Sequence, residues 1–331
     1  MGRIAVNRLF DIKANGDGLM DSNRDIILEK IRNNQAWYEY GTARFRKILS
    51  ENKGKMQADG THYYDEKTDR LEQQRYYRKA RKHPASGPAL FALYHDLVQK
   101  THKNRLPYHV SKNQYLYTWV DLHPDGSVRN IYSGEARDPL AIIQEDHQIG
   151  KKRGDHYHSL LQESEISAHQ IRAVDTFFKY NTEHIVPQSW FHAADPMKGD
   201  LHHLFVCYPS CNAKRSNLPY GDFDFYHPES ADEPVRNHCG IAAEDKFEPE
   251  SGKGTIARAF AYFLLHYPKA VSKSKLNRVN LSLLVQWHEV FPAGLYERHR
   301  NQAICRIQGN RNPFIDDAGL MKQLEGCLVK I

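Results

Sequence analysis

The chain has 331 residues and a formal net charge of +6, with 46 Lys and Arg residues against 40 Asp and Glu residues. Hydrophobic residues make up 40% of the chain and charged residues 26%, which excludes a disordered or fibrous protein and favours one large domain or two ordinary ones. No apolar run reaches the roughly 18 residues of a membrane-spanning helix, so the sequence predicts a protein without a membrane partner.

The first residues show no secretory signal, because Asn7 and Arg8 interrupt the apolar stretch before a hydrophobic region can form. On this ground alone the expected location is the cytoplasm. Five cysteines are too few for a disulfide scaffold. The 19 histidines are more than one site can use, so their positions must decide which of them matter.

Residues 1–85 form a predicted helical N-terminal extension. A helix opens there at Asp21 and carries Ile26, Ile27 and Ile31 on one side. Apolar spacing predicts further helices at residues 86–102, after Asp138-Pro139, and at residues 166–180, 254–267 and 281–291.

A β-hairpin is predicted between residues 115 and 132. The first strand would run from Tyr115 to Leu122, because this run is rich in aromatic and β-branched residues. The turn residues Pro124-Asp125-Gly126 follow, and Val128 to Tyr132 would form the second strand.

Residues 75–83 are the densest basic run and carry tyrosines between the cations. This composition is typical of a surface that follows phosphates and stacks bases. The alternative is a solvated helix face whose tyrosines pack inward, and the sequence leaves both interpretations open. The cations concerned are Arg75, Arg78, Lys79, Arg81 and Lys82.

The residues that best indicate chemistry lie between residues 181 and 222. A short predicted strand ends in Glu183 and His184, and a later helix presents Asn212. Histidine can take a proton from water near neutral pH, and carboxylate and amide oxygens suit Mg²⁺. Neighbours in a regular strand point to opposite faces, so Glu183 and His184 can share a site only if the strand ends there. Judged by spacing alone, the alternative is that Glu183 and His184 form a hydrogen-bonded pair in the core without a catalytic role.

Three segments in this order resemble the endonuclease I family of non-specific nucleases, whose core is the ββα-metal unit, or His-Me finger. The segments read Glu183-His184-Ile185-Val186-Pro187, Asp200-Leu201-His202-His203-Leu204 and Asn212-Ala213-Lys214-Arg215-Ser216-Asn217. The likeness covers roughly residues 85–320, and within the family the Bacillus-type extracellular nucleases are most similar. It implies an α+β fold in which a mainly helical nuclease domain, residues 86–325, surrounds a ββα-metal core at about 181–222 with a small antiparallel sheet.

The resemblance also implies roles for individual residues. His184 would be the general base, and Glu183 and Asn212 would bind a single Mg²⁺, or Mn²⁺ or Ca²⁺ in its place. The family uses an Arg in the loop after the base to hold the phosphate. This chain departs from that pattern, because Lys198 is the only cation of that loop, so Lys198 or Arg215 would take the role. His202 and His203 in the second segment would be structural supports.

The implied activity is metal-dependent, sequence-non-specific cleavage of RNA or DNA to 5′-phosphate and 3′-hydroxyl ends by a monomer. Substrates would bind through their phosphates to the basic run and to Lys214. Relatives of this kind are exported, which conflicts with the missing secretory signal. Two alternatives are a catalytically silent, zinc-stabilised nucleic-acid-binding module and a more specific HNH-type DNA endonuclease.

Cys207 and Cys211 lie within five residues before Asn212, and Cys239 lies 27 residues after it. Cys207, Cys211 and Cys239 could hold a structural Zn²⁺ with His238 as the fourth ligand. A local disulfide and free buried thiols are equally open alternatives.

Overall fold

The computed structural model describes residues 23–38, 41–82, 85–228 and 238–328, with the side chains of residues 33–38 left out. The N-terminal residues used to predict the absence of a secretory signal lie outside these ranges. Asp21, the predicted start of the first helix, lies outside them as well. No helix within them is long and apolar enough to cross a membrane.

The chain is mostly helical with small antiparallel sheets, which confirms the α+β class. The helices are α1 (Asn23–Tyr38), α2 (Gly41–Ala58), α3 (Gly60–Tyr63), α4 (Glu66–Tyr77), α5 (Gly87–Thr101), α6 (Tyr108–Val110), α7 (Pro139–Leu160), α8 (Ala168–Phe177), α9 (Pro209–Arg215), α10 (Lys253–His266), α11 (Lys273–Leu276), α12 (Leu281–Val290), α13 (Leu295–Gln308), α14 (Pro313–Asp316) and α15 (Leu320–Leu328). A π-helix covers Ser111–Val120, and single 3₁₀ turns cover Ala80–Lys82, Gln188–Trp190, Met197–Gly199 and Leu201–His203.

The strands form three antiparallel pairs in the described ranges. They are β1 (Val128–Arg129) with β2 (Ala136–Arg137), β3 (Thr182–His184) with β4 (Leu204–Val206), and β5 (Ile241–Ala243) with β6 (Lys246–Glu248).

The helices predicted from apolar spacing are present, with ends that shift by one to three residues. α10 is the most deeply buried of them, because nearly all of its side chains from Ile256 to His266 are covered by neighbouring elements. It ends at the residue before Tyr267-Pro268, since proline cannot continue a helix and restricts the residue before it.

The predicted hairpin at residues 115–132 is wrong. Its first strand is the π-helix, and Leu122 alone bridges to Val128 across the turn. The second segment pairs with Ala136–Arg137 instead. Leu116, Tyr117 and Val120 are fully buried, so this helix is covered on several sides and gives no amphipathic signal. Tertiary packing here overrides the strand preference of aromatic and β-branched residues.

Three hydrophobic clusters support these elements. The largest surrounds α10 and includes Ile185 and Phe205 beside the β3–β4 pair. The second joins Phe45 of α2 to the π-helix and to β4. The third is small and consists of Ile27, Ile31, Tyr157, Leu160 and Ile171, so it links α1 to α7 and α8. Much of the predicted N-terminal extension therefore shares the main cores, and α1 is attached through a separate cluster.

Candidate active site

The β3–β4 pair and α9 place the acidic and imidazole groups of the site. In the pair, Glu183 lies opposite Phe205 and His184 lies opposite Leu204. β3 ends at His184, and α9 follows β4 and contacts β3. The strand end satisfies the condition set from the sequence, because Glu183 and His184 both line one cavity.

This cavity has a volume of about 940 Å³. Of the residues singled out from the sequence, Glu183, His184, Lys198, Asn212 and Arg215 line it together. Five side chains from three separate parts of the sequence therefore converge on one space, which makes the cavity the candidate active site.

The His184 ring is held by a hydrogen bond on each nitrogen. Nε2 lies 2.8 Å from the carbonyl oxygen of Lys198, and Nδ1 lies 3.2 Å from the side-chain amide nitrogen of Gln188. Because a carbonyl oxygen only accepts, Nε2 carries the proton and Nδ1 is the basic nitrogen. Burial lowers the pKa of His184 well below its usual value, and the neighbouring His203 adds to the shift. The imidazole is therefore neutral and can accept a proton.

The Glu183 carboxylate is buried, with 4% of the residue exposed. Arg215 Nη1 donates to Oε1 at 2.9 Å, and the Tyr132 hydroxyl donates to the same oxygen at 2.7 Å. Burial raises the pKa of Glu183, and the Arg215 guanidinium opposes this rise. Because both donors bind Oε1, Oε2 is the oxygen that remains for a cation.

Asn212 lies in the middle of α9. Its amide nitrogen donates to the Thr182 carbonyl oxygen at 2.6 Å, which fixes the orientation of the side chain. The amide oxygen is thus the group that this residue can offer to a cation in the cavity.

Cys211, the residue before Asn212, forms a disulfide with Cys239. Cys207 is a free, buried thiol. Of the three alternatives open from the sequence, the structure therefore contains the disulfide, and two of the proposed zinc ligands are engaged in it. The bond ties α9 to the segment before β5.

The two candidates for the phosphate cation have different surroundings. Arg215 is 1% exposed and also donates to the Ile185 carbonyl oxygen at 2.7 Å, so its contacts favour a supporting role for Glu183. Lys198 is partly buried with its Nζ 5.5 Å from the centre of the Tyr108 ring. These contacts favour Lys198 over Arg215 as the phosphate-binding cation.

Sequence reasoning missed Lys179, a lysine that lines the cavity and, like Lys198, has no ion pair with another described residue. Lys179 precedes β3 and acts electrostatically on Glu183, just as Lys198 acts on His184. Lys179 belongs to no recognised motif. The sequence signal for it is its position four residues before Glu183.

The predicted nucleic-acid-binding cations lie elsewhere. Lys214 and the five cations of the basic run are exposed, and none of them lines the cavity. Tyr77 is buried with its hydroxyl 2.7 Å from Asp316, and the Tyr76 hydroxyl bonds Thr101 at 2.7 Å. The tyrosines pack inward, so the base-stacking interpretation of this run is wrong for them. Residue 83 lies outside the described ranges.

The loop histidines make structural hydrogen bonds. His202 Nε2 lies 3.1 Å from the Asn310 carbonyl oxygen, and His203 Nε2 lies 2.6 Å from the Met197 carbonyl oxygen. These bonds agree with the supporting role expected for both residues.

A second group of metal-ligating residue types lies in the core. Ligand atoms of His102, Asp200 and His266 lie within 4.8 Å of one another. The Asp200 oxygens already accept hydrogen bonds, however, including one from the Tyr262 hydroxyl at 2.7 Å and one from Gln308 at 3.0 Å. Because the carboxylate is occupied, this group is better explained as a structural network than as a metal centre.

The model of the Endonuclease I family matches residues 92–319. This match covers more than half of the chain. It includes all five candidate site residues that line the cavity, which are Glu183, His184, Lys198, Asn212 and Arg215. The chain belongs to the endonuclease I family. The resemblance inferred from the three sequence segments is thereby confirmed.

Individual relatives match a shorter segment of the chain. An extracellular deoxyribonuclease of Aeromonas hydrophila is 29% identical over 125 residues, which is 36% of this chain and 50% of that protein. A periplasmic deoxyribonuclease of the same organism is 29% identical over 125 residues, 36% of this chain and 48% of the relative. Endonuclease-1 of Buchnera aphidicola subsp. Baizongia pistaciae is 28% identical over 120 residues, 35% of this chain and 45% of the relative. The chain thus spans about half the length of these relatives, and the expected likeness to Bacillus-type nucleases stays a prediction.

Proposed function

We propose that this protein is a metal-dependent, sequence-non-specific endonuclease that hydrolyses phosphodiester bonds of DNA or RNA to 5′-phosphate and 3′-hydroxyl ends. The observation that carries the proposal is that His184, held by the Lys198 carbonyl oxygen, lines one cavity with Glu183 and Asn212. Family membership supports nuclease chemistry, and the deoxyribonuclease names of the relatives support DNA as one substrate.

The donor atoms in the cavity fit a hard divalent cation. Glu183 offers Oε2, and Asn212 offers its amide oxygen, and oxygen donors of this kind suit Mg²⁺, Mn²⁺ and Ca²⁺. A single cation is favoured over two, because the segment offers one carboxylate at this point. When bound, the cation would neutralise charge on the phosphate and on the leaving 3′-oxygen.

The side chains of the protein would divide the remaining work. His184 Nδ1 accepts from the Gln188 amide in this structure and would exchange that contact for water. It would then take a proton from the water, which attacks phosphorus in line with the leaving oxygen. The Lys198 carbonyl oxygen would hold the ring in the required tautomer and stabilise the imidazolium that forms. Lys198 Nζ and Lys179 would bind the phosphate oxygens. Arg215 would keep Glu183 ionised and in place.

Export from the cytoplasm is also part of this proposal. Two of the relatives are named extracellular and periplasmic deoxyribonucleases, and disulfides such as Cys211–Cys239 persist in oxidising compartments. The monomeric state stays a prediction.

The His184→Ala variant tests the mechanism. We expect plasmid cleavage in Mg²⁺ to fall by about 10³-fold, since a positioned general base contributes on this order. His158→Ala is the matched control, because His158 is an exposed histidine on α7, and EDTA should abolish cleavage by the parent protein. Unchanged cleavage by His184→Ala would overturn the mechanism. Gel retardation without nicking, in both Mg²⁺ and EDTA, would support the silent binding module instead.

A further inference from the structure

Residues that precede the family match also line the active-site cavity. Glu29 and Lys30 reach it from α1, and Thr42 and Phe45 reach it from α2, whereas the match begins at residue 92. We propose that these two helices turn the cavity into a cleft for one nucleic-acid strand, so that the enzyme cuts single-stranded nucleic acid in preference to duplex. This inference rests on the proposed endonuclease function.

The catalytic groups are nearly covered. Glu183 and His184 are each 4% exposed, so a phosphate must enter the cavity to reach them. The volume of about 940 Å³ lies at the upper end of small-molecule sites, which span about 300–1,000 Å³. Such a space holds a few nucleotides of one flexible strand. A duplex is a stiff rod, so we expect its phosphates to reach this space less readily than those of a flexible single strand.

The charges of the cavity lead to the same conclusion. The cations that line it and are paired with acidic residues are Lys112 with Asp146, Arg215 with Glu183, and both Lys30 and Arg153 with Asp175. Lys179 and Lys198 are the two lining cations without an ion pair to a described residue. Two free cations match the phosphates next to one scissile bond, whereas duplex-binding proteins commonly neutralise about 6–10 phosphates.

The attachment of α1 makes this wall separable from the catalytic centre. Ile27 and Ile31 pack in the third hydrophobic cluster, which contains none of the predicted catalytic residues. Lys30 Nζ lies 2.8 Å from Asp175 Oδ2, and the Asn23 amide donates to the Ile166 carbonyl oxygen at 2.7 Å. A change in this cluster should therefore move α1 without rebuilding the base or the metal-binding side chains.

The first experiment measures cleavage of one oligonucleotide sequence as a single strand and as a duplex, with the unmodified protein and Mg²⁺. We expect the single strand to be cut at least 10-fold faster. Rates within twofold of each other would overturn the inference while leaving the endonuclease proposal intact. Cleavage of neither substrate would contradict the endonuclease proposal itself.

The second experiment releases the wall with the double variant Ile27→Asp/Ile31→Asp. We expect duplex cleavage to rise and the ratio of single-strand to duplex rates to fall at least threefold. Leu28→Asp is the control, because Leu28 lies on the same helix with 39% of its surface exposed, and its ratio should match the parent. An unchanged ratio in a folded double variant would overturn the role of α1. If the double variant does not fold, the parent ratio of the first experiment decides.

Discussion

The two sides of the cavity are held in different ways. On the β3–β4–α9 side, Glu183, His184 and Asn212 are each held by hydrogen bonds, such as the one from Asn212 to the Thr182 carbonyl oxygen. On the α1 side, the attachment includes two isoleucines, a hydrogen bond from Asn23 and an ion pair between Lys30 and Asp175, whose side chains are 29% and 32% exposed. Exposed ion pairs of this kind contribute about 1 kcal/mol or less.

This difference matches what each side has to do. Proton transfer and cation binding depend on atomic positions, and a misplacement of about 1 Å can cost 10²-fold in rate. A wall that excludes a second strand only needs to occupy space. Substitutions on the β3–β4–α9 side should therefore change the rate on every substrate, and substitutions on the α1 side should change the choice of substrate.

The largest effect on stability is expected from Arg215→Met. This change leaves the Glu183 carboxylate buried without its cationic partner, and breaking a buried ion pair costs about 3–5 kcal/mol. We expect a loss of that order in the free energy of unfolding, measured in urea, and at least a 100-fold loss of nuclease rate. Arg215→Lys keeps the charge and should recover part of both. A stable and fully active Arg215→Met protein would show that this side of the cavity is not held as described.

The disulfide gives a second test of the same side. Cys239→Ser opens a covalent loop with a sequence separation of 28 residues, and chain entropy predicts a loss of about 3–4 kcal/mol. The free energy of unfolding in urea measures this loss. Cys327→Ser is the control, since Cys327 is a free thiol in α15 and its removal should change stability little. Equal stabilities of the two variants would contradict a bracing role for the disulfide.

A smaller effect on the nuclease rate is expected to distinguish a cation of the cavity from a cation of the surface. Lys198→Met should lower the nuclease rate by about 10- to 100-fold, because a buried cation that contacts charge in the transition state is worth about 1.4–2.8 kcal/mol. Lys79→Met removes an exposed cation of the basic run and should change the rate by less than threefold. If Lys79→Met has the larger effect, substrate binding depends on the basic run rather than on the cavity.

The sequence predicts the local parts of this molecule well. α5, α7, α10 and α12 follow from apolar spacing and proline positions, because these signals lie within one element. Glu183, His184 and Asn212 could be proposed as site residues because they lie in segments whose order resembles a family, and their roles stay predictions.

The parts that the sequence did not predict depend on contacts between distant residues. Lys30 reaches the cavity from a position more than 150 residues before His184. The pairing of Cys211 with Cys239 depends on how the intervening chain returns. The π-helix at residues 111–120 is covered by several elements at once, so its composition resembles that of a strand.

Lys198 contributes to the site through two separable groups. Its carbonyl oxygen belongs to the backbone and holds His184, whereas its ammonium group belongs to the side chain and lies in the cavity. A substitution at position 198 exchanges the second group and keeps the first. Under the proposed mechanism, evolution or design can therefore alter phosphate binding at this position and keep the tautomer of His184.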